Sequence, residues 1–410
     1  MIAGGAAIAM ALIPGMPVLP CIGVGLVLLF SAQRIKSSEA AREASTLEAE
    51  QASREPTSES PEDLMERMRV HALEILLAPD LVNMVSGASD DLLARVRALR
   101  RTIAMDLGII VPPVRTRDSI DLPSSTYVIR ISGVEAGRGL APSGKVLALG
   151  DSLDALPGLA TVEPVFGLAG KWVPQEMRHS AEMTGATVID RVSVVVTHLS
   201  SIITNNAARL VSREDVRMLT ESIKQVNPSA VDELTPSLLS LAEIQRVLQG
   251  LLAEQVPIND LSRIYEALAL RAKVSTEAEG LIEAARQALG PALSNQYLDG
   301  RTLRVIMIDP MLEQSMLEAM RPSELGTQIL LDQKAIEALF ASLNATLARV
   351  QANGQSAVLV CAPALRPAIH RLVSGQANSL PVLSYQEAGS ANVTIETVGV
   401  IGNAESISTS

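Results

Sequence analysis

The side chains in this chain that could hold a metal or pair as nucleophile and base are few. His71, His179, His198 and His370 are too scattered to form a metal cluster, and each reads as a surface or satisfied core residue. Cys21 falls in an apolar N-terminal stretch and Cys361 in a strand-like one, so both read as free thiols, without a disulfide framework or zinc site. GLAPSGKV, residues 139–146, nearly matches the phosphate-cradling loop G-x-x-x-x-G-K-[ST]. Val146 replaces the hydroxyl that would hold Mg²⁺, and the following VLAL reads as a strand where a helix N-terminus should receive phosphate. Arg95, Arg97, Arg100 and Arg101 decorate one helix as a solvated face in preference to an anion site. We therefore expect no catalytic residues, no cofactor and no metal.

An aromatic on a turn is more informative. Phe166 is one of three phenylalanines, and it sits in EPVFGL, where Pro164 fixes φ and Gly167 frees it, so the ring is held on a loop. Downstream, Asp190 can cap a helix whose apolar positions Val192, Val195, Val196, Leu199, Ile202 and Ile203 recur at helical spacing, leaving Thr197 near the edge of the stripe. A loop aromatic facing a helix edge would make a shallow apolar dimple with an acidic rim. On spacing alone, the alternative is that Phe166 and Trp172 plug a small local core.

The elements that must position these residues are spread over several domains. At 410 residues the chain is too long for one core. Aromatics are 2% of the chain and hydrophobic residues 48%, so cores must be built from Leu, Val, Ile, Ala and Met. The formal net charge of -11 argues against broad binding of a phosphate backbone.

Residues 1–32 carry no charge, and Pro14, Pro17 and Pro20 break the run, as in the tail of one membrane span, a turn and a second span. Arg34 and Lys36 follow, placing the remainder in the cytoplasm by the positive-inside tendency. A Ser-, Glu-, Ala- and Arg-rich tether covers 37–63. Globular patterning then starts. Ser89 can cap a helix with Leu92, Val96, Leu99, Ile103 and Leu107 inside and Gly108 at its end, and TYVIRISGVEA alternates as a strand. In 240–271, Ser240 and Glu243 form a capping box, Pro257 breaks the run, and Asn259 can cap a second helix. With an acidic balance and no dense basic helix, this pair is a packing unit in preference to a DNA reader. LRVIMID, AVLVCA, LPVLSY and VTIETVGVI are strand-like and separated by helical stretches, as in a small α/β domain with a largely parallel sheet closed by its last strand.

The motifs IPGMPVLP, GIIVPPVRTRDSIDLPSSTYVIRISGVEAGRG, VEPVFGLAGKWV, VVVTHLSSII, SLAEIQRVLQGLLAEQVPINDLSRIYEAL, LRVIMIDPMLEQ and VTIETVGVIG together resemble the flagellar and virulence-associated type III export-gate family, closest to its flagellar branch. The resemblance implies a multi-domain α/β protein of the bacterial inner membrane. Its parts would be a membrane segment at 1–36, a flexible linker at 37–63, a mixed α/β subdomain at 64–143 plus 191–210, and an inserted α/β subdomain at 144–190. A helical subdomain at 211–290, an α/β subdomain at 291–402 and a tail at 403–410 would follow. It implies a non-enzymatic export gate whose cytoplasmic part forms a nonameric ring and docks export chaperones carrying cargo. The other implied partners are the membrane proteins and soluble ATPase complex of the export apparatus, with no nucleic acid. The chaperone-binding positions carried over are Glu163, Phe166 and Thr197; Glu163 stands where relatives have aspartate. The family's long multi-span membrane region would precede the point where this chain begins. The alternative is the homologous gate of a virulence injectisome.

Overall fold

The computed structural model describes residues 70–86, 92–150, 153–323, 326–375, 380–390 and 393–402, together with residues 65 and 68. The expected membrane segment at 1–36, the linker at 37–63, the Ser89 cap and the tail at 403–410 lie outside the described residues. Among the described residues, no helix is long and apolar enough to cross a membrane. The described residues from His71 onward pack as one unit.

That unit is mixed α/β. β1 (Leu73–Leu77) is buried along its whole length, as LEILL allows for a central strand, its one charged residue, Glu74, being paired with Arg117 of the neighbouring strand. It pairs in parallel with β2 (Val114–Asp118) and antiparallel with β3 (Thr126–Ile131), and β4 (Val134–Leu140) completes the order β2-β1-β3-β4. Helix α1 (Leu92–Leu107) buries Leu92, Val96, Ile103 and Leu107 at helical spacing, while Leu99 is half-buried. Gly108 ends it at φ 76°, and a Cβ there would lie 2.6 Å from the Asn259 nitrogen, so only glycine lets the two segments approach.

A second, antiparallel sheet follows: β5 (Lys145–Leu149), β6 (Leu159–Val162), β7 (Ala169–Pro174) and β8 (Thr187–Asp190), in the order β6-β7-β5-β8. Strand parity divides its residues. Val146, Ala148 and Val173 pack with Leu153, Leu156 and Ala181 on one side, and Leu147 and Trp172 pack with Val194 on the other. Residues 139–146 thus run from β4 through a turn into β5, with no helix after the lysine.

Helix α2 (Arg191–Asn205) continues directly from β8. Asp190 caps it by accepting from the Ser193 N–H at 2.9 Å. Val192, Val195, Leu199, Ile202 and Ile203 enter the core under the first sheet, whereas Val194 faces the second sheet. One helix therefore joins the two sheets.

Helices α3 (Arg213–Val226), α4 (Pro228–Leu234), α5 (Leu241–Ala253), α6 (Leu261–Ala272) and α7 (Ala278–Ala288) share that first core. The Ser240–Glu243 capping box opens α5 as expected. The cap of α6 is Asp260, not Asn259: the Asp260 carboxylate accepts from the Arg263 N–H, and the Asn259 amide instead donates to the Met105 carbonyl. Both residues can cap, and tertiary contact decides between them.

The C-terminal part holds a parallel sheet of β9 (Thr302–Ile308), β12 (Val358–Cys361), β13 (Val382–Ser384) and β14 (Thr394–Ile401), in the order β13-β12-β9-β14. The last strand sits at an edge of this sheet, so it extends the sheet without closing it. A hairpin of β10 (Met320–Ser323) and β11 (Gly326–Ile329) and helices α8 (Gln333–Ala352), α9 (Arg366–Ser374) and α10 (Tyr385–Gly389) complete it. Where this part meets α5 and α7, the fully buried Arg366 bridges Glu254 and Glu283, and Arg286 bridges Glu254 and Glu387. Cys361 is a buried free thiol that burial pushes up to about 12.

Candidate docking site

The loop between β6 and β7 is closed by its own backbone. The Glu163 N–H donates to the Leu168 carbonyl at 2.8 Å, and the Gly167 N–H, on a residue with φ 68°, donates to the Glu163 carbonyl at 3.1 Å. The Glu163 carboxylate folds over the turn and accepts from the N–H groups of Val165 at 3.0 Å and Phe166 at 2.6 Å. Glu163 is consequently only 4% exposed, while Phe166, at the turn's apex, is 72% exposed.

The ring borders a hollow of about 450 Å³. Its floor follows from strand register. Leu149 lies opposite Thr187 and Leu147 opposite Ile189 on β5 and β8, so these side chains share the face turned toward α2. Val194 and Thr197, three apart on α2, supply the other wall. Phe166, Leu168, Ala169, Ile189 and Val194 make the hollow largely apolar, and Thr197 is exposed at its edge.

The structure therefore brings Glu163, Phe166 and Thr197 to one hollow, with unlike roles. Phe166 does not join Trp172 in a core: Trp172 is 1% exposed and packed on Leu147 and Val194. The expected acidic rim is absent at Glu163, because its carboxylate is spent on the turn that carries the aromatic ring. Val194, Leu149, Thr187 and Ile189 were not singled out from sequence. Their signal was the i, i+3 relation to Thr197 and the two-residue parity of β5 and β8.

Behind the hollow, His198 is a satisfied core histidine. Its Nδ1 lies 2.9 Å from the Tyr127 hydroxyl. Burial lowers its pKa and raises that of Tyr127, and the nearby Glu163 charge raises both. His71 and His179 lie away from this pair, His71 beside Arg115 and His179 near Glu182, and among the described residues no group of three or more His, Cys, Asp or Glu could hold a metal ion.

A model of the FHIPEP family matches residues 1–392. The chain belongs to that family. Among relatives, it is 32% identical over 346 residues to the flagellar biosynthesis protein FlhA of Bacillus subtilis strain 168, covering 83% of this chain and 51% of that protein. It is 35% identical over 326 residues to FlhA of Escherichia coli K12, covering 78% and 46%. This FHIPEP chain thus spans about half the length of the curated relatives it matches. Its fold is similar to that of the Chlamydia pneumoniae CdsV protein in a CdsV and CdsO complex, with TM-score 0.70 and 25% identity, covering 81% of this chain and 98% of that one. It is also similar to nonameric EPEC SctV-C, with TM-score 0.65 and 20% identity, covering 81% and 98%.

Proposed function

We propose that the chain is a component of the flagellar type III protein export gate. Its cytoplasmic part receives export chaperones carrying their cargo and passes the cargo toward a membrane pore. The flagellar branch is favoured over the injectisome because the relatives above, at 32% and 35% identity, are flagellar proteins. Residues 1–36 would be the end of a membrane region in the bacterial inner membrane and 37–63 the linker. The four cytoplasmic subdomains would be 64–143 plus 191–210, 144–190, 211–290 and 291–402, with a tail at 403–410. A homo-oligomeric ring is in keeping with the nonameric state of the structural neighbour. Other parts of the export apparatus would be further partners, as CdsO is for CdsV.

The observation that carries the docking reading is Phe166, held 72% exposed on a rigid turn over an apolar hollow. An aromatic ring kept in water has no role in the protein's own core. A partner that buried about 100 Å² of apolar surface there would gain on the order of 2–3 kcal/mol, which favours weak, reversible delivery once association costs are subtracted. The work is docking, without bond chemistry. Photoreactive benzoylphenylalanine at position 166 should cross-link a chaperone with its cargo in flagellated cells, and the same group at the comparably exposed Leu270 should not. Equal capture at both positions would remove this assignment.

A further inference from the structure

A second hollow, of about 620 Å³, opens on the other side of Glu163. Glu163 and Val194 line both hollows, so the partition between them is these two side chains. The hairpin loop serves both. Val162, 64% exposed, borders the second hollow just as Phe166 borders the first. Leu147 and Trp172 form its apolar inner wall, and the first sheet supplies the far side through Gly139, Leu140 and Arg138.

Among the described residues, Arg138 and the turn-bound Glu163 are the charged side chains lining the second hollow. Its Nε and Nη2 donate to Glu135, both at 3.0 Å, in a pair whose side chains are 52% and 42% exposed. A water-exposed pair of this kind contributes little and exchanges readily for another carboxylate. Arg130 is close enough to act on Glu135 as well, so Glu135 is shared between two arginines. With Glu135 shared and the Glu163 carboxylate folded into its turn, the exposed Arg138 guanidinium suits a carboxylate on the partner.

Leu140 and Val162 stand exposed around the second hollow, and Phe166 and Leu168 around the first. Four large apolar side chains gathered around two adjoining concavities form a contiguous patch, unlike apolar residues scattered singly over a surface. We infer that the docking surface is bipartite. The chaperone lays an amphipathic segment across both hollows, with one apolar side chain against Phe166, a second against Val162, and a carboxylate on Arg138. This rests on the docking reading above and extends it from one anchor to three contacts.

The test is calorimetric titration of the full chain with flagellar export chaperones loaded with cargo, at low and high salt. The proteins are the wild type, Phe166→Ala, Val162→Ser and Arg138→Gln, with unfolding temperatures recorded alongside. Val162→Ser should weaken binding about fivefold to tenfold at either salt. Arg138→Gln should weaken it several-fold at low salt and little at high salt. If Val162→Ser proves unstable, Val162→Ala takes its place. Loss of binding by Phe166→Ala alone, with the other two variants unchanged, would overturn the bipartite surface and keep single-anchor docking. Absence of binding by the wild-type chain would remove the docking reading itself. Self-association of the chain that Val162→Ser abolishes would give the second hollow to another copy, and would likewise overturn the inference.

Discussion

The backbone N–H of Phe166 donates to the carboxylate of Glu163 at 2.6 Å. A buried acid three residues back thereby fixes an exposed aromatic ring, and the two residues work as one device: the carboxylate orders the turn, and the ordered turn keeps the ring at its apex. Preorganisation of this kind removes the entropy that a mobile loop would lose on binding.

Glu163→Ala should leave the N–H groups of Val165 and Phe166 without their acceptor. The expected cost is about 1–3 kcal/mol of stability, read as a lower urea midpoint, with faster amide exchange at Phe166. Docking should weaken although no partner atom need touch the carboxylate. Glu163→Asp keeps the charge and the acceptor and should preserve both. An unchanged urea midpoint and Phe166 exchange rate in Glu163→Ala would contradict this role.

Arg366 is fully buried and held by Glu254 and Glu283. Arg366→Met removes the cation and leaves the carboxylates facing each other, so a loss of about 3–5 kcal/mol in urea unfolding is expected. Arg366→Lys should recover only part of it, since an ammonium cannot reproduce the guanidinium's contacts with both acids. A methionine variant as stable as the wild type would show that the network contributes nothing net.

Burial holds the folded pKa of His198 below its ordinary 6.5, against the opposing Glu163 charge. The unfolded chain then takes up the proton first, so this contribution to stability is fully present above pH 6.5 and is lost as pH falls from there toward the folded value. Burial lowers His370 in the same way, whereas burial raises Glu283, which acts in the opposite sense. The difference between wild type and His198→Gln isolates the one group. Urea midpoints should fall less on acidification from pH 7.5 to 5.5 in the variant. Parallel pH curves would contradict the assignment.

A Cβ on Gly139 would lie 2.4 Å from the Tyr127 hydroxyl. Gly139→Ala should therefore push Tyr127 off His198 and cost about 1–3 kcal/mol. Gly144→Ala meets nothing within 4 Å but sits at φ 68°, so its smaller cost is one of backbone strain alone. Unfolding midpoints that ranked the two variants in the reverse order would refute this reading of the contact.

Much of the site could be read along the chain because its parts are local. Asp190 as a cap, the apolar spacing of α2 and the Pro164–Gly167 turn are each set by residues within a few positions of one another. The division between Phe166 and Trp172 was harder. Two aromatics six residues apart look alike in a sequence, and what separates them is that one falls on the inward face of β7 and the other on the loop before it. Glu163 was misread as an open rim because nothing in sequence tells whether a turn acid faces water or its own backbone. LEILL, which becomes the central strand β1, was not identified: four apolar residues around a single glutamate carry no period that separates strand from helix. The Arg366 network escaped notice because its members lie 83 and 112 residues apart.

The most direct test of the account is the affinity of a cargo-loaded export chaperone for the Phe166→Ala chain, measured by calorimetry beside the wild type. Loss of the ring should remove about 3 kcal/mol, on the order of a hundredfold, while the unfolding temperature stays that of the wild type because the ring is 72% exposed. Equal affinity of the two chains would contradict docking at Phe166.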